Sequence, residues 1–150
     1  MASPQASDKA LARAARTMYD FDPDGTSAVD VAWVDMQNYR RLVVGLFRSV
    51  GTGSVTSFKI LANAQSNGGG TDVEIKAHAI GSAPNAVGDY IWLECSAEEI
   101  AQEAADAGIE GVRYVSANIA LVTNTDECVV YYERCDPRFA YDNLTADYIS

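Results

Sequence analysis

The residues between Tyr19 and Tyr39, "YDFDPDGTSAVDVAWVDMQNY", contain Asp20-Phe21-Asp22-Pro23-Asp24-Gly25, a D-x-D-x-D-G run. Three alternating carboxylates followed by glycine are what a calcium loop of the EF-hand type offers as its first ligands: oxygens at positions 1, 3 and 5, and a sharp turn at 6. Thr26 would give its carbonyl at position 7. Position 12 should then be a bidentate glutamate, but it is Val31, and Asp30 falls one place early. A helix should leave the loop, whereas "AVDVAWV" has the composition of a strand. The expectation is an acidic turn whose bend is set by Pro23 and Gly25. Weak ion binding at Asp20, Asp22 and Asp24 stays open, and no specific metal site is expected.

The remaining chemistry-bearing residues are scattered. His78 is the only histidine and has no cysteine or histidine close by in sequence. No G-x-S-x-G context marks a nucleophile. "GTGSV" and "NGGG" are glycine-rich but lack the lysine and the strand-to-helix context of a phosphate loop. Glu99 and Glu103, four apart, read as a solvated helix face, and the Asn143-Leu144-Thr145 sequon has no secretory signal to go with it. Cys95, Cys128 and Cys135 are an odd number, which suits free structural thiols in a reducing compartment. Cys128 and Cys135 flank "VVYYER"; seven residues of strand would hold them about 23 Å apart. No catalytic residue and no cofactor are expected, and the chain reads as a non-enzyme.

The elements that must position these residues are mostly strands. "VDVAWV", "YRRLVVGLF", "VTSFKILANA", "TDVEIKAHAI", "DYIWLEC", "VRYVSANIALV" and "CVVYYERC" are short runs rich in β-formers, separated by turn signals such as "GTGS", "QSNGGG" and "TNTDE". In 55–64, Thr56, Phe58, Ile60 and Ala62 form the better core face, opposite Val55, Ser57, Lys59 and Leu61. In 71–80, Val73, Ile75, Ala77 and Ala79 share a face. Ser96-Ala97-Glu98-Glu99 is a capping box that opens one short helix ending at Gly108. Residues 1–28 are poor in large apolar side chains, and "SDKALARAARTMY" has some helix propensity. The expected architecture is mainly β: an antiparallel β-sandwich, jelly-roll-like or Ig-like, over 29–150, with one short helix and an extended N-terminal arm, 1–28, whose removal would leave the fold intact.

Bulk properties narrow the partners. The 150 residues carry a net charge of −10, with 48% apolar and 21% charged residues, as expected of a single packed domain. An acidic surface repels phosphate backbones and anionic membranes, so neither is an expected partner. No apolar run is long enough to span a bilayer, and the N-terminus has no apolar signal core; synthesis in a cytoplasm is expected. Tyr131, Tyr132, Phe139, Tyr141 and Tyr148 crowd the C-terminal region, enough to fill a core and leave some at a contact. Arg40, Arg41, Arg134 and Arg138 are the concentrated cations, able to pair internally or to meet an acidic partner.

The order of motifs resembles a known group. "WVDMQNYRRLVVGLF" (33–47) leads into a strand; "GTGSVTSFKILANAQSNGGGTDVEIKAHAI" (51–80) is a strand, a Gly-rich hairpin and a second strand; "WLECSAEEI…GVRYVSANIAL" (92–121) follows a strand with an acidic helix and a Y-V-x-A strand; "ERCDPRFAYDNL" (133–144) ends in D-P-R-aromatic. Over about residues 30 to 142 this succession is similar to small capsid-associated proteins of the decoration or cement type, encoded near the head genes of tailed bacteriophages. Residues 1–28 lie outside it, and Cys135 departs from it. The resemblance implies a virion structural protein on the capsid surface, with the major capsid protein as partner and self-association as a homotrimer. Two alternatives accompany it: another virion component (head-completion or tail), and a carbohydrate- or host-surface-binding module using Trp33, Tyr90 and Trp92. Burial of Trp33 and Trp92 would count against a sugar platform.

Overall fold

The structure, a computed structural model, describes residues 15–79 and 86–137. It is mainly β, with two antiparallel sheets and one short helix. The strands are β1 (Ala15–Phe21), β2 (Val29–Asp30), β3 (Val34–Asp35), β4 (Tyr39–Val50), β5 (Val55–Asn63), β6 (Val73–Ala77), β7 (Tyr90–Ser96), β8 (Tyr114–Leu121) and β9 (Glu127–Pro137); α1 (Ala97–Asp106) lies between β7 and β8. Sheet A has the order β1-β9-β4-β7. Sheet B has the order β2-β8-β5-β6, and β3 also pairs with β8. The tight turn after β4 and the one before β9 carry the chain from one sheet to the other at the same end of the sandwich, called here the turn end.

Alternation builds the core. Leu42, Val44 and Leu46 of β4, Leu93 and Cys95 of β7, and Cys128, Val130 and Tyr132 of β9 point inward from sheet A; Phe58, Ile60 and Ala62 of β5 and Val115, Ala117 and Ile119 of β8 meet them from sheet B. Of the face expected for 55–64, Phe58, Ile60 and Ala62 are buried, but Thr56 is only half-buried. Val55 is buried too, because the register with β8 shifts between Val55 and Ser57 and an irregularity turns it inward. In β6, Val73 and Ile75 are buried, but the strand ends at Ala77, which is exposed along with Ala79.

The arm expected over 1–28 is corrected where it covers Ala15–Phe21. Ala15–Phe21 is not arm or helix but a full edge strand, paired residue for residue with β9 from Ala15↔Arg134 to Phe21↔Cys128. Phe21 belongs to the core, and Tyr19 packs edge-on against Tyr132, with ring centroids 5.4 Å apart at 87°. Residues 1–14, and the tail from 138 with Arg138, Phe139, Tyr141 and Tyr148, lie outside the described residues. "VDVAWV" is also not one strand. It makes two short pairings with β8, and the interruption between them is occupied by a side chain from the other sheet. The Tyr132 hydroxyl accepts from Ala117 N at 2.8 Å and donates to the Ala32 carbonyl at 3.0 Å, standing in for the missing strand. Burial first of all holds that phenol above its ordinary pKa, so it stays a donor.

The helix forms as its capping box requires. Ser96 Oγ accepts from Glu99 N (3.1 Å), and Glu99 Oε2 accepts from Ser96 N (2.7 Å). Ile100 and Ala104 are its buried face. Lys76 Nζ ties β6 to the helix by donating to Glu99 Oε1 (3.0 Å) and to the Glu94 carbonyl (2.8 Å). The backbone N–H of Ser96, and then Lys76, hold the Glu99 carboxyl below its usual range. A depressed folded-state pKa contributes stability above the unfolded-state value and loses it as pH falls through the folded one. Ser96→Ala is expected to cost about 1 kcal/mol at neutral pH, read as a lowered denaturant midpoint at constant slope. Glu99→Gln is expected to remove part of the stability lost on acidification. An unchanged midpoint for Ser96→Ala would show the cap to be dispensable.

Candidate interaction surface

Residues that alternate outward from sheet A fall into register across all four strands. One row runs Met18 (β1), Tyr131 (β9), Gly45 (β4), Trp92 (β7); the next runs Asp20, Val129, Phe47, Tyr90. Gly45 is decisive for what these rows become. It has no side chain, so the Tyr131 ring lies down over it, where even a methyl group would overlap the ring. From there Tyr131 reaches across β4 and stacks parallel to Tyr90, with centroids 5.9 Å apart and planes 6° apart; Tyr90 in turn stacks on Trp92 at 5.5 Å and 26°. Such pairs contribute about 0.5–1.5 kcal/mol each beyond their buried area. The result is a continuous aromatic band that stays open to solvent: Trp92 is 58% and Met18 70% exposed, and Phe47 and Tyr90 are exposed as well.

A third row, Arg16, Glu133, Val43, Glu94, borders the band. Arg16 pairs with Glu133 at 3.1 Å and Arg41 pairs with Glu94, so this border is neutralised. Burial among its neighbours, and then the Glu133 charge, raise the Tyr90 phenol above its ordinary value, so it faces solvent as a neutral donor. The band can therefore offer flat π-faces, apolar edges and phenol hydroxyls to a partner.

Of the aromatic residues singled out in the sequence, Tyr90, Trp92 and Tyr131 come together here. Trp33 does not. It is half-buried, with its indole against Gly68 of the β5–β6 hairpin, on the other sheet. Tyr132 is in the core. Met18, Phe47 and Gly45 were missed; the glycine inside the apolar run "LVVGLF" was the one available signal. Among the cations, Arg41 is paired, while Arg134 donates to the Asp35 carbonyl at 2.7 Å and sits over the Tyr39 ring.

The acidic run lies beside this face. Asp20 points outward from β1 while Phe21 points in; Asp22 and Pro23 follow, and the chain bends over 24–27. These residues line an open cleft of about 360 Å³ that reaches Asp30 and Val31, and Asp30 accepts from Asn118 Nδ2 at 2.8 Å. Among the described residues, no three histidine, cysteine or acidic side chains converge as a metal ion would require. His78 lies just past β6 beside Phe58, and its Nδ1 has no partner among the described residues. The three cysteines are free. Burial pushes the Cys95 thiol up to about 12 and the Cys128 thiol up to about 11, away from the range of a reactive thiolate. Among the described residues no helix is long and apolar enough to cross a membrane. No known family model matches the chain, and comparison with curated proteins and with solved structures finds no match.

Proposed function

We propose that this is a non-enzymatic virion structural protein that binds the outer surface of a tailed-phage capsid and stabilises it, with the outer face of sheet A as its contact surface. The observation that carries the reading is the solvent-exposed aromatic band on one face of a four-stranded antiparallel sheet. Monomers rarely leave so much contiguous apolar surface open without a partner for it. The motif order that resembles phage head-associated proteins supplies the partner's identity, the major capsid protein, and the site, the virion. A protein that binds only the assembled lattice stabilises it by mass action, by about 2.7 kcal/mol per site at a hundredfold excess over Kd. Repetition on a symmetric shell suits self-association as a homotrimer, and the acidic surface turns away nucleic acid and membrane.

The test is the copy number of the chain in purified virions, by quantitative mass spectrometry against the major capsid protein. A simple ratio of whole numbers is expected. A few copies per particle would move the protein to a head-completion or tail position, and absence from virions would overturn the reading. A second reading, a carbohydrate-binding module, is favoured by one observation: Trp92 is exposed and stacked on Tyr90, as a sugar platform would need. Retardation in polysaccharide-containing native gels, lost in Trp92→Ala, would establish it.

A further inference from the structure

The aromatic band does not end at the edge of sheet A. At the turn end, Phe47 and Tyr90 lie directly opposite each other. Beyond them the loop bearing Val87 is bonded to β4 through Gly88 N to Arg48 O (3.0 Å) and Arg48 N to Asp89 O (2.9 Å). Val50 closes β4, and Val122 N donates to Ser54 O across the neighbouring turns. Val50, Val87 and Val122 are all exposed. Valine is not a residue that the turns at Val87 and Val122 call for.

Among the described residues, the exposed charges around this end are of one sign. Asp20 borders the Val129–Phe47–Tyr90 row, Asp22 and Asp24 follow it, and Glu127 lies opposite Val50. None of these four carboxylates has an ion-pair or hydrogen-bond partner among the described residues. Among the described residues, the cations on the same face, Arg16 and Arg41, are already paired with Glu133 and Glu94.

We infer that the aromatic band and the turn end form one contact surface, whose occupant is a protein with an apolar centre rimmed by lysine and arginine. Charge complementarity selects among the possible occupants. A second copy would bring the same acids into register with themselves. Nucleic acid or an anionic bilayer would be repelled. A neutral polysaccharide would use the rings but gain nothing from the carboxylates. A basic-rimmed protein face uses both, the apolar centre for affinity and the charged rim for steering and register. This deepens the capsid reading and rests on it, with the shell supplying the basic rim.

The experiment titrates shells assembled from the major capsid protein alone with four full-length forms: wild type, Trp92→Ala, the triple Asp20→Asn/Asp22→Asn/Asp24→Asn, and a control, Glu98→Gln/Glu103→Gln, on the exposed helix face. Each is measured at about 0.1 M and about 1 M salt, where the Debye length falls from about 10 Å to about 3 Å. Far-UV circular dichroism checks that each variant is folded. Wild type and control are expected to bind alike and to weaken in high salt. The triple variant is expected to bind about tenfold more weakly at low salt with a flattened salt response, and Trp92→Ala at least about tenfold more weakly with the salt response kept. Wild-type affinity in both folded variants would overturn this surface and leave the capsid reading standing. Failure of the wild type to bind the shells would overturn both. A Trp92-dependent, salt-independent affinity would assign the face to an uncharged partner and overturn the basic rim.

Discussion

Asp126→Ala is expected to destabilise the protein by about 3–5 kcal/mol, the usual result of leaving one charge of a buried pair alone. At this chain length that is a fall in Tm on the order of 10 °C. Arg48 stands at an inward position of β4, in phase with Leu42, Val44 and Leu46, and is fully buried; Asp126, at the end of the turn into β9, is almost as deep. Their side chains meet at 3.1 Å, and the guanidinium also donates to the Val50 carbonyl at 3.3 Å. The turn end is built around the carboxylate. Gly51 adopts φ +93° with the Asp126 side chain pressed against it, where no other residue would have both the conformation and the room. Removing the carboxylate leaves a fully buried guanidinium without its charge partner. The loss should be insensitive to salt, unlike that of any surface pair. Arg48→Met/Asp126→Leu should recover most of it, because an apolar pair of similar volume escapes the desolvation penalty. A single Asp126→Ala midpoint within about 1 kcal/mol of wild type would mean the pair does not hold the turn.

How far the molecule could be read in advance depended on whether the signal was local. The capping box of α1 forms as read, and so does the inward face of β5 from Phe58 on; at its start the irregularity near Thr56 puts Val55 inward in its place. Period-two alternation also explains Tyr131 and Tyr132: neighbours of identical composition, one on the aromatic band and one in the core. It puts Cys128 inward and Cys135, seven places on, outward. β1 is different. "ARTMYDF" follows an alanine-rich stretch, and local propensity argues for helix or arm. Its strand conformation comes from pairing with β9, more than 100 residues away, which outweighs that weak preference. The candidate surface was hidden for the same reason. Met18, Tyr131, Gly45 and Trp92 form a row only once four strands take their registers, and register is a property of the assembled sheet. The acidic run was legible as a turn, but its position beside an aromatic face was not.

Removing residues 1–28 is therefore expected to unfold the chain or drive it to aggregate, not to yield a trimmed but stable sandwich. The deletion strips β1 from the edge of sheet A and takes with it every hydrogen bond to the outer side of β9. It also removes Phe21 from the core. Truncating a buried phenylalanine alone costs about 3–5 kcal/mol, so Phe21→Ala in the full chain should show a loss of that size without any change in chain length. Loss of Tyr19 uncovers the Tyr132 ring, whose hydroxyl holds β9 to β8 across the sandwich. Set against a total stability of about 5–15 kcal/mol, these losses together leave little. The newly bared edge of β9, rich in valine and tyrosine, is the kind of surface that pairs with other chains. Size-exclusion chromatography and thermal melts of the truncated chain decide the matter, and a monomer with the wild-type Tm would return Ala15–Phe21 to the status of an arm. The same deletion cannot be used to ask what the N-terminal region does for binding, since it also removes Met18 and Asp20 from the contact surface. Exposed positions such as Trp92 and Asp22 can separate a lost contact from a lost fold.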